Sequence, residues 1–197
     1  EQVVESRPVA DPLRLLDCPP ISDGAAAVIV TTLDRARDLP AGTVITVAGT
    51  GQASGPVALT DAPELTRLEA PRLAALRAYA DAGVGAGDIA AVEVHDCFSI
   101  SEILAIEALG IVAEGEGGPA TQSGFTAGHG GPVVNGSGGL LSKGHPIGAT
   151  GASQVVELVR HLRGEGQYRL FRGASLGLAY NMGGAGAVST VTILAKD

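Results

Sequence analysis

The sequence predicts an α/β protein: a mixed sheet covered by helices on both faces. Three observations carry this. Short apolar or β-branched runs (AAAVIVTT, TVITVA, IAAVEV) alternate with segments of helical spacing, the pattern of a layered α/β domain. The chain closes on two apolar runs joined by a glycine-rich turn, which reads as a tight strand pair. Charged residues are only 17% and mean hydropathy is positive, so a packed core is expected rather than a disordered chain. With 197 residues, one domain can bury roughly 70% of its extended surface.

Glu1 to Pro20 has no clear periodicity. It begins with polar residues and no initiator Met, so the natural start is expected upstream. Ser22-Asp23-Gly24 is turn chemistry, and Ala25 to Thr32 reads as a buried strand. Leu39 to Gly42 is a second turn before a strand over Thr43 to Ala48, and Gly49 to Thr60 reads as a loop. Pro71 suits the first turn of a helix, with Leu73, Leu76 and Ala80 at helical spacing and Gly83 as its stop. Ile89 to Val94 is a third strand, running into His95-Asp96-Cys97-Phe98.

Ser99 to Glu102 has the form of a capping box, which predicts a helix to about Leu109 stopped by Gly110. That places Cys97 between a strand end and a helix start, where the helix N-terminus is expected to lower its pKa. Val112 to Gly131 reads as a long loop, and Pro132 to Asn135 as a short strand. Asn135 to Gly151, NGSGGLLSKGHPIGATG, combines many glycines with His145 directly before a helix predicted over Thr150 to Arg163. Val155, Leu158, Val159 and Leu162 form the apolar face of that helix. Strands over Gly173 to Tyr180 and Ala187 to Leu194 follow, joined by Asn181 to Gly186, and Lys196-Asp197 looks like a natural C-terminus.

A net charge of −8 with few aromatics argues against a nucleic-acid surface, and no apolar run approaches the ~18 residues of a membrane span. Cys18 and Cys97 are too few and too separated for a disulfide framework and fit a reduced, cytoplasmic setting, with Cys18 as a structural residue. His95, His129, His145 and His161 form no metal-binding motif, so no metal is expected. Three segments follow predicted strands: His95 to Phe98, Gly144 to Gly151 and Asn181 to Gly186. In open α/β sheets ligands collect at the carboxyl ends of strands. There a thiol, two histidines and glycine-rich N–H donors could serve acyl or carbanion chemistry on a thioester.

HDCF (His95 to Phe98), GHPIGATG (Gly144 to Gly151), SDGAAA (Ser22 to Ala27) and NMGGAGA (Asn181 to Ala187) resemble the thiolases, closest to the sterol-carrier-protein type often described as lipid-transfer proteins. The resemblance runs through nearly the whole chain. It implies that residues 1–197 form a thiolase-like C-terminal half with a five-stranded mixed sheet. It also implies cleavage or formation of a 3-ketoacyl-CoA, with coenzyme A as substrate and no covalently bound cofactor.

By the same resemblance His145 activates a nucleophilic cysteine, Cys97 is the acid/base, His95 helps hold the enolate oxygen, and the Gly183 N–H serves a second oxyanion hole. Asn181 stands where other thiolases carry a cysteine, a departure that the subgroup explains through Cys97. The family's nucleophile belongs to an N-terminal half that nothing here matches, so a partner half or second subunit is expected, in a homodimer or hetero-oligomer. Two further functions remain open on the sequence. One is a retro-aldol lyase of sterol side-chain breakdown working with an OB-fold partner. The other is a non-catalytic acyl-CoA-binding or scaffold subunit.

Overall fold

The computed structural model describes residues 1–40, 42–166 and 174–197; Ala41 of the second predicted turn and Gly173 of the strand predicted over Gly173 to Tyr180 lie outside them. The described elements are α1 (Gln2–Glu5), β1 (Pro8–Ala10), β2 (Leu13–Arg14), α2 (Leu33–Arg37), β3 (Ile45–Ser54) and α3 (Glu69–Ala82). They continue with β4 (Ala91–Glu93), α4 (Ser99–Ala108), α5 (Gly117–Ser123), β5 (Val133–Val134), α6 (Gly139–Lys143), α7 (Thr150–Arg163), β6 (Leu176–Gly183) and β7 (Val188–Lys196).

Five strands form one mixed sheet in the order β3-β7-β6-β4-β5. The β3–β7 and β7–β6 pairs are antiparallel, whereas β4 pairs parallel with both β6 and β5. Strand alternation sends neighbouring side chains to opposite faces. Leu178 and Tyr180 of β6 pack with Val92, Val191 and Ile193 against Ala74, Ala78 and Tyr79 of α3 and Ala105 of α4. Ala179 points the other way, into a smaller cluster with Ala91, Leu194 and the α7 residues Leu158 and Leu162. The sheet is therefore sandwiched, as the alternation of strand and helix predicts.

Local stops agree with the sequence at two helices. α3 ends on Gly83 at φ 68°, and α4, capped by Leu109, is followed by Gly110 at φ 72°. Other expectations change. Ala25 to Thr32 is not a buried strand: it pairs with nothing among the described residues, and Val28, Ile29 and Val30 are exposed to 43%, 93% and 81%. Its apolar character marks a demand for burial, but none of the described elements packs over that run. The Glu1 to Pro20 segment carries α1 and the small β1–β2 ribbon.

β3 runs on to Ser54, through glycines that read as loop in the sequence. Their reason is tertiary. A Cβ on Gly51 would overlap the Ala74 carbonyl of α3, so glycine lets the helix backbone lie directly on the strand. The Val112 to Gly131 loop contains α5. The capping box does not form: Phe98 caps α4 without a side-chain bond, and Glu102 instead accepts a hydrogen bond from Asn135 Nδ2 at 2.7 Å. Asn181 to Gly183 belongs to the end of β6 rather than to the turn.

Candidate active site

The site is built at the carboxyl ends of β4 and β6. β4 stops at Glu93, and the Val94 N–H that follows donates to Asn135 Oδ1 at 2.8 Å. Asn135 adopts φ 47° and ties this strand end to Glu102 of α4. His95, Asp96 and Cys97 cross the gap between β4 and α4. Asp96 is 2% exposed and accepts from the Leu140 N–H at 2.8 Å and more weakly from Leu141 at 3.5 Å. Gly139 must be glycine here, because it holds φ 63° and a Cβ would overlap the Asp96 carboxylate. Asp96 thereby fixes the histidine–cysteine segment to the segment that leads into His145.

A second buried carboxylate braces the same segment from below. Glu93 accepts from the Ser137 N–H at 3.1 Å and its hydroxyl at 2.6 Å, and Lys143 lies 3.6 Å from it. Burial pushes Glu93, Asp96 and Glu102 all above the ordinary carboxylate range, against the hydrogen bonds that pull each back down.

His145 sits between α6 and α7. Its Nδ1 lies 2.7 Å from the Thr150 hydroxyl, which itself donates to the Pro146 carbonyl at 3.2 Å. The tautomer that satisfies both contacts has the hydroxyl hydrogen on that carbonyl, Nδ1–H donating to Oγ1 and the lone pair on Nε2. His95 meets His145 edge-on, with ring centroids 4.8 Å apart and planes at 87°. Burial, with a smaller contribution from His145, brings the His95 pKa down to about 4, so its ring is neutral at pH 7.

The Cys97 thiol lies 3.5 Å from the Ser101 hydroxyl. Its pKa is raised rather than lowered as the sequence suggested: burial dominates, Asp96 adds to it, and hydrogen bonds at the start of α4 do not overcome them. Cys97 therefore rests as a thiol.

His95, Cys97, His145 and Gly183 border one open cleft of about 450 Å³, together with Asn181, Met182, Ile147, Val188 and Thr190. The structure thus brings the four sequence-derived site residues together. Gly183, at the end of β6, has no heavy atom outside its chain neighbours within 4 Å of where a Cβ would stand, so that side of the residue is open. Cys18 does not border this cleft; its thiol lies 3.7 Å from the Arg14 carbonyl, in keeping with a structural role. Asp96, Asn135, Thr150 and Gln154, which hold the cleft side chains in place, were not singled out by the sequence. Asp96, Thr150 and Gln154 share polarity at buried positions, and that becomes visible only once the packing is known.

Residues 51–196 match the family described as Thiolase C-terminal domain-like. The chain belongs to this thiolase family. It is 51% identical over 196 residues to an acetyl-CoA acetyltransferase of Methanothermobacter thermautotrophicus, covering 100% of this chain and 51% of that protein. It is 40% identical to sterol carrier protein 2 of Rattus norvegicus, covering 95% of this chain and 35% of that protein. Among solved structures, a chain of the Ltp2-ChsH2(DUF35) aldolase superposes with a TM-score of 0.86 at 26% identity, covering all of this chain and 50% of that one. The thiolase-family chain thus spans about half the length of the relatives it matches, or less. No helix among the described residues is long and apolar enough to cross a membrane.

The buried histidine makes this thiolase domain acid-sensitive in a defined window. His95 has its folded pKa lowered to about 4 from 6.5, so as pH falls the unfolded chain takes up a proton that the folded one refuses. Stability is lost from about pH 6.5 down to about pH 4, and His95 accounts for about 3 kcal/mol of that loss. The three raised carboxylates act with the opposite sign, because the folded state holds their protons longer as pH rises. Urea unfolding of wild type and His95→Gln between pH 4 and pH 7 isolates the histidine. The gap between the two curves should change by about this amount across the window, and parallel curves would refute the assignment.

Proposed function

We propose that this chain is the acid/base-bearing half of a thiolase-type acyltransferase acting on 3-ketoacyl-CoA, with the nucleophilic cysteine supplied by an N-terminal half or second subunit. The observation that carries this is the convergence of His95 and Cys97 from one loop and His145 from another on one cleft beside Gly183. In the thiolytic direction His145 Nε2 takes the proton of the incoming nucleophile. The resulting thiolate attacks the 3-keto carbon, and the Gly183 N–H receives the developing oxyanion. The bond between C2 and C3 breaks, and the electron pair goes to the acetyl-CoA enolate, whose oxygen His95 holds. The Cys97 thiol protonates the enolate carbon, releasing acetyl-CoA. Coenzyme A then enters as substrate, gives its thiol proton to the Cys97 thiolate, and takes the shortened acyl group. Return of the His145 proton to the nucleophile closes the cycle.

The raised pKa of Cys97 suits this order of events, because thiolysis first needs an acid at that position. In the synthetic direction the same sulfur must be a thiolate, so condensation should be favoured by alkaline pH. The second reading, a retro-aldol lyase, draws support from the structural likeness to the Ltp2-ChsH2(DUF35) aldolase. In that case an OB-fold partner chain is expected. The test is turnover by the full-length protein assembled with its nucleophile-bearing half. Cleavage of a 3-ketoacyl-CoA that requires added coenzyme A supports the thiolase. Cleavage of a β-hydroxyacyl-CoA without added coenzyme A replaces it with the lyase. Absence of both overturns the two readings together.

A further inference from the structure

His95 can present either a lone pair or an N–H to the cleft, depending on which ring nitrogen carries its proton. Nothing in the ring itself decides this. Asn181 Nδ2 lies 3.2 Å from His95 Nδ1, and the same Nδ2 lies 3.3 Å from Gln154 Oε1. An asparagine amide can turn over, so Asn181 alone does not settle the direction either. Gln154 does. It is 1% exposed, on α7, and its Nε2 donates to the Tyr180 backbone carbonyl at 3.0 Å. A backbone carbonyl only accepts. Gln154 must therefore turn its own carbonyl towards Asn181, Asn181 must answer with its NH2, and the second hydrogen of that NH2 must point at His95 Nδ1. The His95 proton is left on Nε2.

We propose that Gln154 is a positioning residue for this site: through Asn181 it transmits the direction of a β6 backbone carbonyl to His95 and holds the His95 proton on Nε2. The two cleft histidines are thereby set to opposite tasks. Thr150 leaves His145 with a lone pair on Nε2, and Gln154 leaves His95 with a hydrogen on Nε2. One ring can take a proton while its neighbour donates to an oxyanion, and neither can exchange role without reversing a hydrogen bond anchored in the backbone. That this matters for turnover rests on the proposed thiolase function; the position of the proton does not.

The test is nitrogen NMR of the histidine rings in full-length protein labelled with 15N-histidine, with His95 identified by its loss in His95→Gln. Wild type should show His95 protonated at Nε2 and bare at Nδ1. Asn181→Asp offers an acceptor instead of a donor and should move a proton onto Nδ1. Gln154→Met keeps the volume, removes both bonds and should give a mixture of the two ring forms. Its kcat should fall about tenfold while KM moves less than about twofold, since the lost interaction matters mainly in the transition state. A His95 bare at Nε2 in wild type overturns the proposal. So does a single unchanged ring form in both variants. If Gln154→Met does not fold, Asn181→Asp, at a partly exposed position, decides alone. The expected ring forms without any acyl-CoA turnover would uphold the relay and remove the thiolase reading; turnover with the wrong ring form would do the reverse.

Discussion

Cys97→Ala should lower kcat for 3-ketoacyl-CoA thiolysis by about 10²–10⁴ with little change in KM. The thiol stands at the cleft and rests protonated, because burial and the neighbouring Asp96 both oppose the thiolate. Alanine removes the group that returns a proton to the enolate carbon and that later receives the proton of coenzyme A. The same variant should no longer exchange the α-protons of acetyl-CoA with D2O. In wild type that exchange should accelerate with rising pH through and beyond the ordinary thiol range, since only the thiolate abstracts the proton. α-Proton exchange that survives in Cys97→Ala at the wild-type rate would remove Cys97 from the acid/base role. Surviving cleavage of a β-hydroxyacyl-CoA by that variant would favour the lyase.

His145→Asn should cost a similar factor, about 10²–10⁴ in kcat, by a different route. Its Nε2 carries the free lone pair because the Thr150 hydroxyl holds the Nδ1–H and is itself committed to the Pro146 carbonyl. Without that base the nucleophile of the other half stays a thiol, and the burst of acyl-enzyme seen in rapid mixing should disappear. Cys97 is untouched, so α-proton exchange should persist. Thr150→Val, which keeps the ring and frees Nδ1, should fall between wild type and His145→Asn. An undiminished burst in His145→Asn would show that the nucleophile is activated elsewhere.

The contrast between what could and could not be read from the sequence follows the reach of each interaction. α7 was legible from Thr150 to Arg163 because its apolar face is a local signal. The α3 stop at Gly83 is local in the same way. Glu102 was misread because its competing partner, Asn135, lies 33 positions away, and no window along the chain contains both. Gly49 and Gly51 looked like a loop because the helix backbone pressing on them is remote in sequence. The cleft shows the same division. His95, Cys97, His145 and Gly183 stood out through motifs that resemble a family. The residues that orient them, Asp96, Asn135, Thr150 and Gln154, act across distances that only the fold closes. The pKa of Cys97 was misjudged for a related reason: the helix start was visible in the sequence, while the burial that outweighs it was not.

The bare segment before α2 bears on how the isolated chain behaves in concentrated solution. From Gly24 to Leu33 there is neither a charge nor a proline, and Val28, Ile29 and Val30 lie open to solvent. Such a window, uncharged and rich in β-branched residues, is a template for stacking identical copies into cross-β ladders. Ladder growth begins with encounters between molecules, so losses should rise faster than linearly with protein concentration. A lysine in place of Ile29 would act as a gatekeeper there: it alters no residue of the cleft and should keep the purified domain in solution at concentrations that precipitate the parent.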